Sequence, residues 1–177
     1  LLSHIREKGA EGAKRNLDYW DRLFIEAEDL IKQGASKEAI KETIKKLSGI
    51  MISKNKKILA LARRIFSLEE LIEIKSKLIG TGFIGGKAVG MLLARKILSK
   101  GLPQWQDFSE PHDSFYIGSD IFYSYIVHNR WWRLHLQQKT DEGYFNTAQV
   151  LKEKMLYGVF PEEIMERFQQ IIEYFGS

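Results

Sequence analysis

Cysteine is absent from the 177 residues, which excludes disulfides, a catalytic thiol and thiolate zinc sites and agrees with a reducing compartment. No apolar run approaches the roughly 20 residues of a membrane helix, and Leu1-Leu2-Ser3-His4-Ile5 is too short and too quickly followed by charge for a secretory signal. The expectation is a cytoplasmic protein with no membrane partner. A strong excess of one charge is lacking too: 27 Lys and Arg face 23 Asp and Glu, a net charge of +4. That is too little to require nucleic acid but compatible with a phosphate-rich ligand. What is present is a globular composition, 44% hydrophobic and 12% aromatic, which sets aside disordered and collagen-like classes. A chain of this length can bury roughly 70% of its unfolded surface. It opens with Leu1 and closes at Ser177, and the expectation is that it is a piece of something longer.

Helical periodicity dominates the first half. Residues 15–33 carry Leu17, Trp20, Phe24, Ala27, Leu30 and Ile31 at three-to-four spacing, with acids between them, and Gly34 stops the pattern. Ser36 can cap a second helix bearing Ile40, Ile44, Leu47 and Met51. A third runs from about Lys54 to Arg64, with Ile58, Leu61 and Ile65. Ser67-Leu68-Glu69-Glu70 matches a capping box, so a fourth begins near Leu68 and runs to about Leu78. These helices predict a bundle over residues 1–79.

At Gly80 the composition changes: five of the 14 glycines fall between Gly80 and Gly90, in Gly80-Thr81-Gly82-Phe83-Ile84-Gly85-Gly86-Lys87 and just beyond. Helical period resumes after Lys87 and ends before Gly101 and Pro103. Residues 102–114 hold two of the three prolines and read as a surface connection to a short strand, Ser114–Ile117. Gly118-Ser119-Asp120 then turns the chain. Ser119 or Asp120 can cap a long helix carrying Ile121, Tyr125, Trp132 and Leu136 on one face, and two more helices follow, one after Asn146 and one with Pro161 at its first position.

Gly80 to Gly85 satisfies G-x-G-x-x-G, the dinucleotide fingerprint. That motif needs a preceding buried strand and an acid about 20 positions on, whereas a capping box and charges precede it and Asp107 lies in a Pro-flanked loop. A Walker P-loop ending at Lys87 would need Gly at Thr81 and a hydroxyl at Ala88, and has neither. What remains is Gly-Gly-Lys at a helix start, where unpaired backbone N–H groups and the positive dipole end attract an anion and the lysine adds a point charge. The competing reading is that the glycines let the loop approach a neighbour closely and that Lys87 is merely exposed.

Gly85-Gly86-Lys87-Ala88-Val89-Gly90-Met91-Leu92, followed by Pro111-His112-Asp113-Ser114-Phe115-Tyr116-Ile117-Gly118-Ser119-Asp120-Ile121-Phe122, resembles the start of the nucleotide-binding domain of the phosphoenolpyruvate synthase and pyruvate phosphate dikinase family. The resemblance covers residues 80–130 and extends weakly to 177. It implies an α+β, predominantly helical chain: a helical extension over 1–79, then over 80–177 the first portion of an ATP-grasp-like, PEP/pyruvate-binding domain with little sheet. It also implies a fragment of an ATP-dependent phosphotransferase that uses magnesium. The partners would be nucleotide, a pyruvate or phosphoenolpyruvate-type substrate and the remaining domains of the parent, among them a phosphohistidine domain. By resemblance, Lys87 contacts the ATP phosphates, Gly85, Gly86 and Ala88 give backbone access, and Ser119 is a substrate-side position. The sequence departs from the family at Pro111-His112-Asp113, where Pro-Pro-Gly is usual, and no Arg-Ser-Ser block follows the last helix, so the chain alone is expected to be inactive.

None of His4, His112, His128 or His135 has the glycine- and threonine-rich setting of the family's phosphohistidine. His128 and His135 share a face if one helix carries both, yet no third ligand has compelling spacing and hydrogen-bonded histidines are the simpler account. Arg130-Trp131-Trp132-Arg133 mixes basic and aromatic groups as single-strand nucleic-acid binders do, but Trp132 continues an apolar stripe, and core packing explains it. Lys54, Lys56, Lys57, Arg63 and Arg64 read as a solvated basic face. The rival function is a noncatalytic helical interaction module in which the first 79 residues present an apolar groove or dock a partner domain and the glycine loop is structural.

Overall fold

The computed structural model describes residues 18–176 apart from 103, 111 and 112. It is predominantly helical, with a single two-stranded sheet among the described residues. Leu17, His4, Pro111 and His112 lie outside the described residues. By packing, the chain forms two units, one of the described residues up to Lys77 together with Phe83–Asp113, the other of Leu78–Gly82 together with 114–176.

In the first unit, α1 (Tyr19–Lys32) begins at Asp18, whose carboxylate accepts the Asp21 N–H at 2.9 Å. The predicted Ser36 cap opens α2 (Lys37–Leu47), its hydroxyl accepting from the Ala39 N–H. The helical pattern through Met51 does not continue as α-helix: Ser48–Ile52 is one π-helical turn. Asn55 caps α3 (Lys56–Ile65), accepting from the N–H groups of Lys57 and Ile58, so this helix starts two residues later than its hydrophobic spacing implies. The capping box at Ser67 and Glu70 is formed in both directions and opens α4 (Leu68–Ser76). Leu23, Phe24, Ala27, Leu47, Met51, Leu68 and Leu71 form its core, all but excluded from solvent. Helix α5 (Gly86–Gly101) and the short α6 (Trp105–Phe108) complete this unit, with Val89 and Leu93 of α5 buried. Lys96 pairs with Glu70, and Lys100 donates to the Ile65 carbonyl at 2.7 Å, fastening α5 to the earlier helices.

The second unit is built on β1 (Leu78–Ile79) and β2 (Tyr116–Ile117), paired in parallel with Leu78 opposite Tyr116. Residues 77 and 78 therefore do not extend the fourth helix, which ends at Ser76, and the strand read over Ser114–Ile117 contracts to its last two residues. A strand does precede Gly80, contrary to the expectation, but two residues are too few to leave a periodic signature.

After β2 come α7 (Ser119–His128), α8 (Trp132–Gln137), α9 (Gly143–Met155) and α10 (Glu162–Gly176). The long helix expected through Leu136 is thus two helices. Arg130 adopts φ 63°, a left-handed conformation that no α-helix accommodates, and Asn129 clamps Val159 by donating to its carbonyl at 2.8 Å and accepting its N–H at 3.0 Å. Neither Ser119 nor Asp120 caps α7. Gly118 occupies that position without a side-chain bond. Helix α9 starts at Gly143, ahead of the expected start after Asn146, and Pro161 sits just before α10, its carbonyl receiving the N–H groups of Ile164 and Met165. Ile121, Tyr125, Ile126 and Leu151 are buried here. Trp132 and Leu136 are not: both are about half exposed, so core packing does not account for the Arg130–Arg133 aromatics as a whole.

Candidate functional site

The glycine segment divides into two halves with different jobs. Gly80 and Gly82 take φ 72° and 84°, values that favour glycine. A methyl group on Gly80 would lie 2.5 Å from the Asp120 carboxylate, and one on Gly82 would lie 2.5 Å from the Ser119 hydroxyl. Gly118 has no room for a side chain either, because the Thr81 carbonyl fills it. The Asp120 carboxylate accepts the Thr81 N–H at 2.7 Å, and the Gly118 N–H donates to Ile79 at 2.9 Å. These glycines are there for close approach, as the structural reading of the loop anticipates.

Gly85 and Gly86 differ. A Cβ on either meets nothing within 4 Å, and both are exposed. Gly85 precedes the first turn of α5 with φ 85°, and no side chain caps the helix. The N–H groups of Gly86, Lys87 and Ala88 belong to the turn that has no intrahelical acceptors. Beside them opens a cleft of about 420 Å³ whose lining includes Gly85, Gly86, Ile52, Lys54, Phe83 and Val89. The loop is anchored at this point by the Ile84 N–H, which donates to the Met51 carbonyl at 3.1 Å.

Lys87 is exposed on the first turn of α5 and, among the described residues, has no carboxylate partner. It does not line the cleft. Lys54 does, with its ammonium 5.4 Å from the centre of the Phe83 ring. Lys54 is exposed, as the reading of a solvated basic face expects, yet it also borders this cleft. Its position immediately ahead of the Asn55 cap, outside the helix, is the signal that could have separated it from Lys56 and Lys57.

Gly85, Gly86, Lys87 and Ala88 thus come together on one helical turn. Ser119 belongs to the other unit, half-buried as the first residue of α7 beside Gly82. His128 and His135 fall on separate helices, which removes the shared face, and no group of three potential metal ligands occurs among the described residues. No family model, no curated protein and no solved structure matches the chain.

Proposed function

We propose that residues 80–177 are the first portion of an ATP-binding domain of the phosphoenolpyruvate synthase and pyruvate phosphate dikinase kind, and that the chain is a fragment of an ATP-dependent phosphotransferase. The observation that supports this reading is the first turn of α5: uncapped, opened by two glycines with clear space above them, and carrying a lysine that has no carboxylate partner among the described residues. A lysine at a helix N-terminus opposes the dipole. An anion between them removes that conflict, because backbone N–H groups and ammonium then act on the same charge.

In this role Gly85, Gly86 and Ala88 bring main-chain donors to the phosphates of ATP, and Lys87 offsets their charge. Phosphoryl transfer depends on such positioning and electrostatic stabilisation. The donor set fits the anion and not its metal: main-chain N–H groups and an ammonium cannot ligate magnesium. Magnesium therefore enters this reading bound to the nucleotide, with protein carboxylates expected from the rest of the parent. The pyruvate or phosphoenolpyruvate-type substrate, the role of Ser119 toward it and the phosphohistidine domain rest on the family resemblance.

The rival reading, a noncatalytic interaction module, finds its exposed apolar residues outside the first 79, on α10, where Met165, Ile172 and Phe175 are exposed. Calorimetric titration with magnesium and ATP separates the two. Saturable, magnesium-dependent binding that Lys87→Ala weakens about tenfold or more supports the phosphotransferase reading. Absence of nucleotide binding by the chain and by its parent leaves only the module.

A further inference from the structure

His135 is 4% exposed, in the middle of α8. Its Nδ1 lies 3.1 Å from the Gln138 side-chain amide nitrogen, so the ring accepts there and carries its proton on Nε2. Nε2 is buried and, among the described residues, has no hydrogen-bond partner. Around the ring stand Phe122 and Tyr123 of α7 at centroid separations of 5.5 and 6.0 Å, and Trp132 of α8 at 5.5 Å. All three of these aromatics are partly open to solvent. The imidazole is therefore the inner member of a four-ring cluster that joins α8 to α7.

We propose that His135 is a pH-operated latch: neutral, it holds α8 against α7; protonated, it loosens that contact and bares the rings of Phe122, Tyr123 and Trp132. A second proton must go on Nδ1, turning the acceptor that meets Gln138 into a donor. Rotating the Gln138 amide restores that bond but leaves the charge on a ring shut off from water. Tyr123 is the titratable group that α7 brings to the ring. Among the charged groups of α7, α8, the packed α9 and their connections, Lys139 is the one whose field bears on it, and its charge has the same sign.

Burial first, and the Lys139 ammonium second, hold the His135 pKa below its ordinary value of 6.5. The sign follows from linkage. A group with a lowered pKa in the closed state contributes full stability above the ordinary value. That stability falls as the pH drops through 6.5 toward the depressed value, below which closed and open states are both protonated and no more is lost.

Histidine-resolved NMR and hydrogen exchange on the whole protein test the latch, comparing wild type with His135→Gln between about pH 7.5 and about pH 5. Corrected for intrinsic exchange, amide protection in α8 is expected to fall about three- to tenfold in the wild type and to stay level in the variant. The His135 ring should titrate below 6.5, in step with the loss of protection. An ordinary or raised ring pKa, or an equal fall in both proteins, overturns the proposal. Should His135→Gln not fold, the wild-type measurement decides alone: ring titration and α8 protection that change at different pH values also overturn it.

Discussion

The Asp120 carboxylate accepts the Thr81 N–H at 2.7 Å across 39 residues of sequence, while the Thr81 carbonyl receives the Asp120 N–H at 3.4 Å. This reciprocal pair ties the first half of the glycine segment to the turn after β2. Asp120→Ala leaves the Thr81 N–H without its acceptor, at a cost of about 1–3 kcal/mol. Asp120→Asn, which retains an acceptor oxygen, should cost less. Urea unfolding of the two variants against wild type gives the order.

Two glycine substitutions should act in opposite directions. Gly118→Ala drives a methyl group into the Thr81 carbonyl and is expected to destabilise by about 1–3 kcal/mol. Gly90→Ala falls inside α5 with nothing within 4 Å, so helix propensity governs and stability should rise by up to about 1 kcal/mol. Denaturation midpoints that move in the same direction would contradict the placing of Gly118 against the Thr81 carbonyl and of Gly90 in open space.

Arg130 holds a left-handed conformation at the break between α7 and α8. Arg130→Gly removes the clash between Cβ and the backbone, and a gain of about 0.5–1 kcal/mol is expected despite the greater freedom of glycine in the unfolded chain. A loss of stability on thermal unfolding would show that the arginine side chain outweighs the strain.

Ser67→Ala removes one arm of the capping box at the start of α4. The expected loss is about 1 kcal/mol, read as a lowered urea midpoint with an unchanged slope.

Local chemistry was legible in the sequence wherever partners lie within a few residues. Ser36 and the Ser67–Glu70 pair were identified as caps because a cap bonds its own first turn. The helix after Lys87 and its end near Gly101 followed from period and stop residues. Failures cluster where the partner is remote. Nothing near Asn129 announces that Val159, 30 residues on, will hold it and end α7. Nothing near Gly80 and Gly82 reveals that Asp120 and Ser119 will fill the space a side chain would need. The apolar spacing of Trp132 and Leu136 matches a core stripe, but with the helix broken at Arg130 both residues stay about half exposed.

The same contrast governs the candidate site. Gly85-Gly86-Lys87 at a helix start could be read directly, since one helical turn is a local object. The cleft beside it could not, because Ile52 reaches it from the π-helical turn and Lys54 from the non-helical link that follows, and the Ile84–Met51 hydrogen bond that sets the loop there joins residues 33 apart.

Backbone amide NMR during titration with magnesium and ATP addresses the central claim most directly. Phosphates held by the first turn of α5 should shift the amide resonances of Gly86, Lys87 and Ala88 saturably and more than any others, and Lys87→Ala should weaken the midpoint about tenfold or more. Saturating nucleotide that leaves those three amides unmoved would contradict the account.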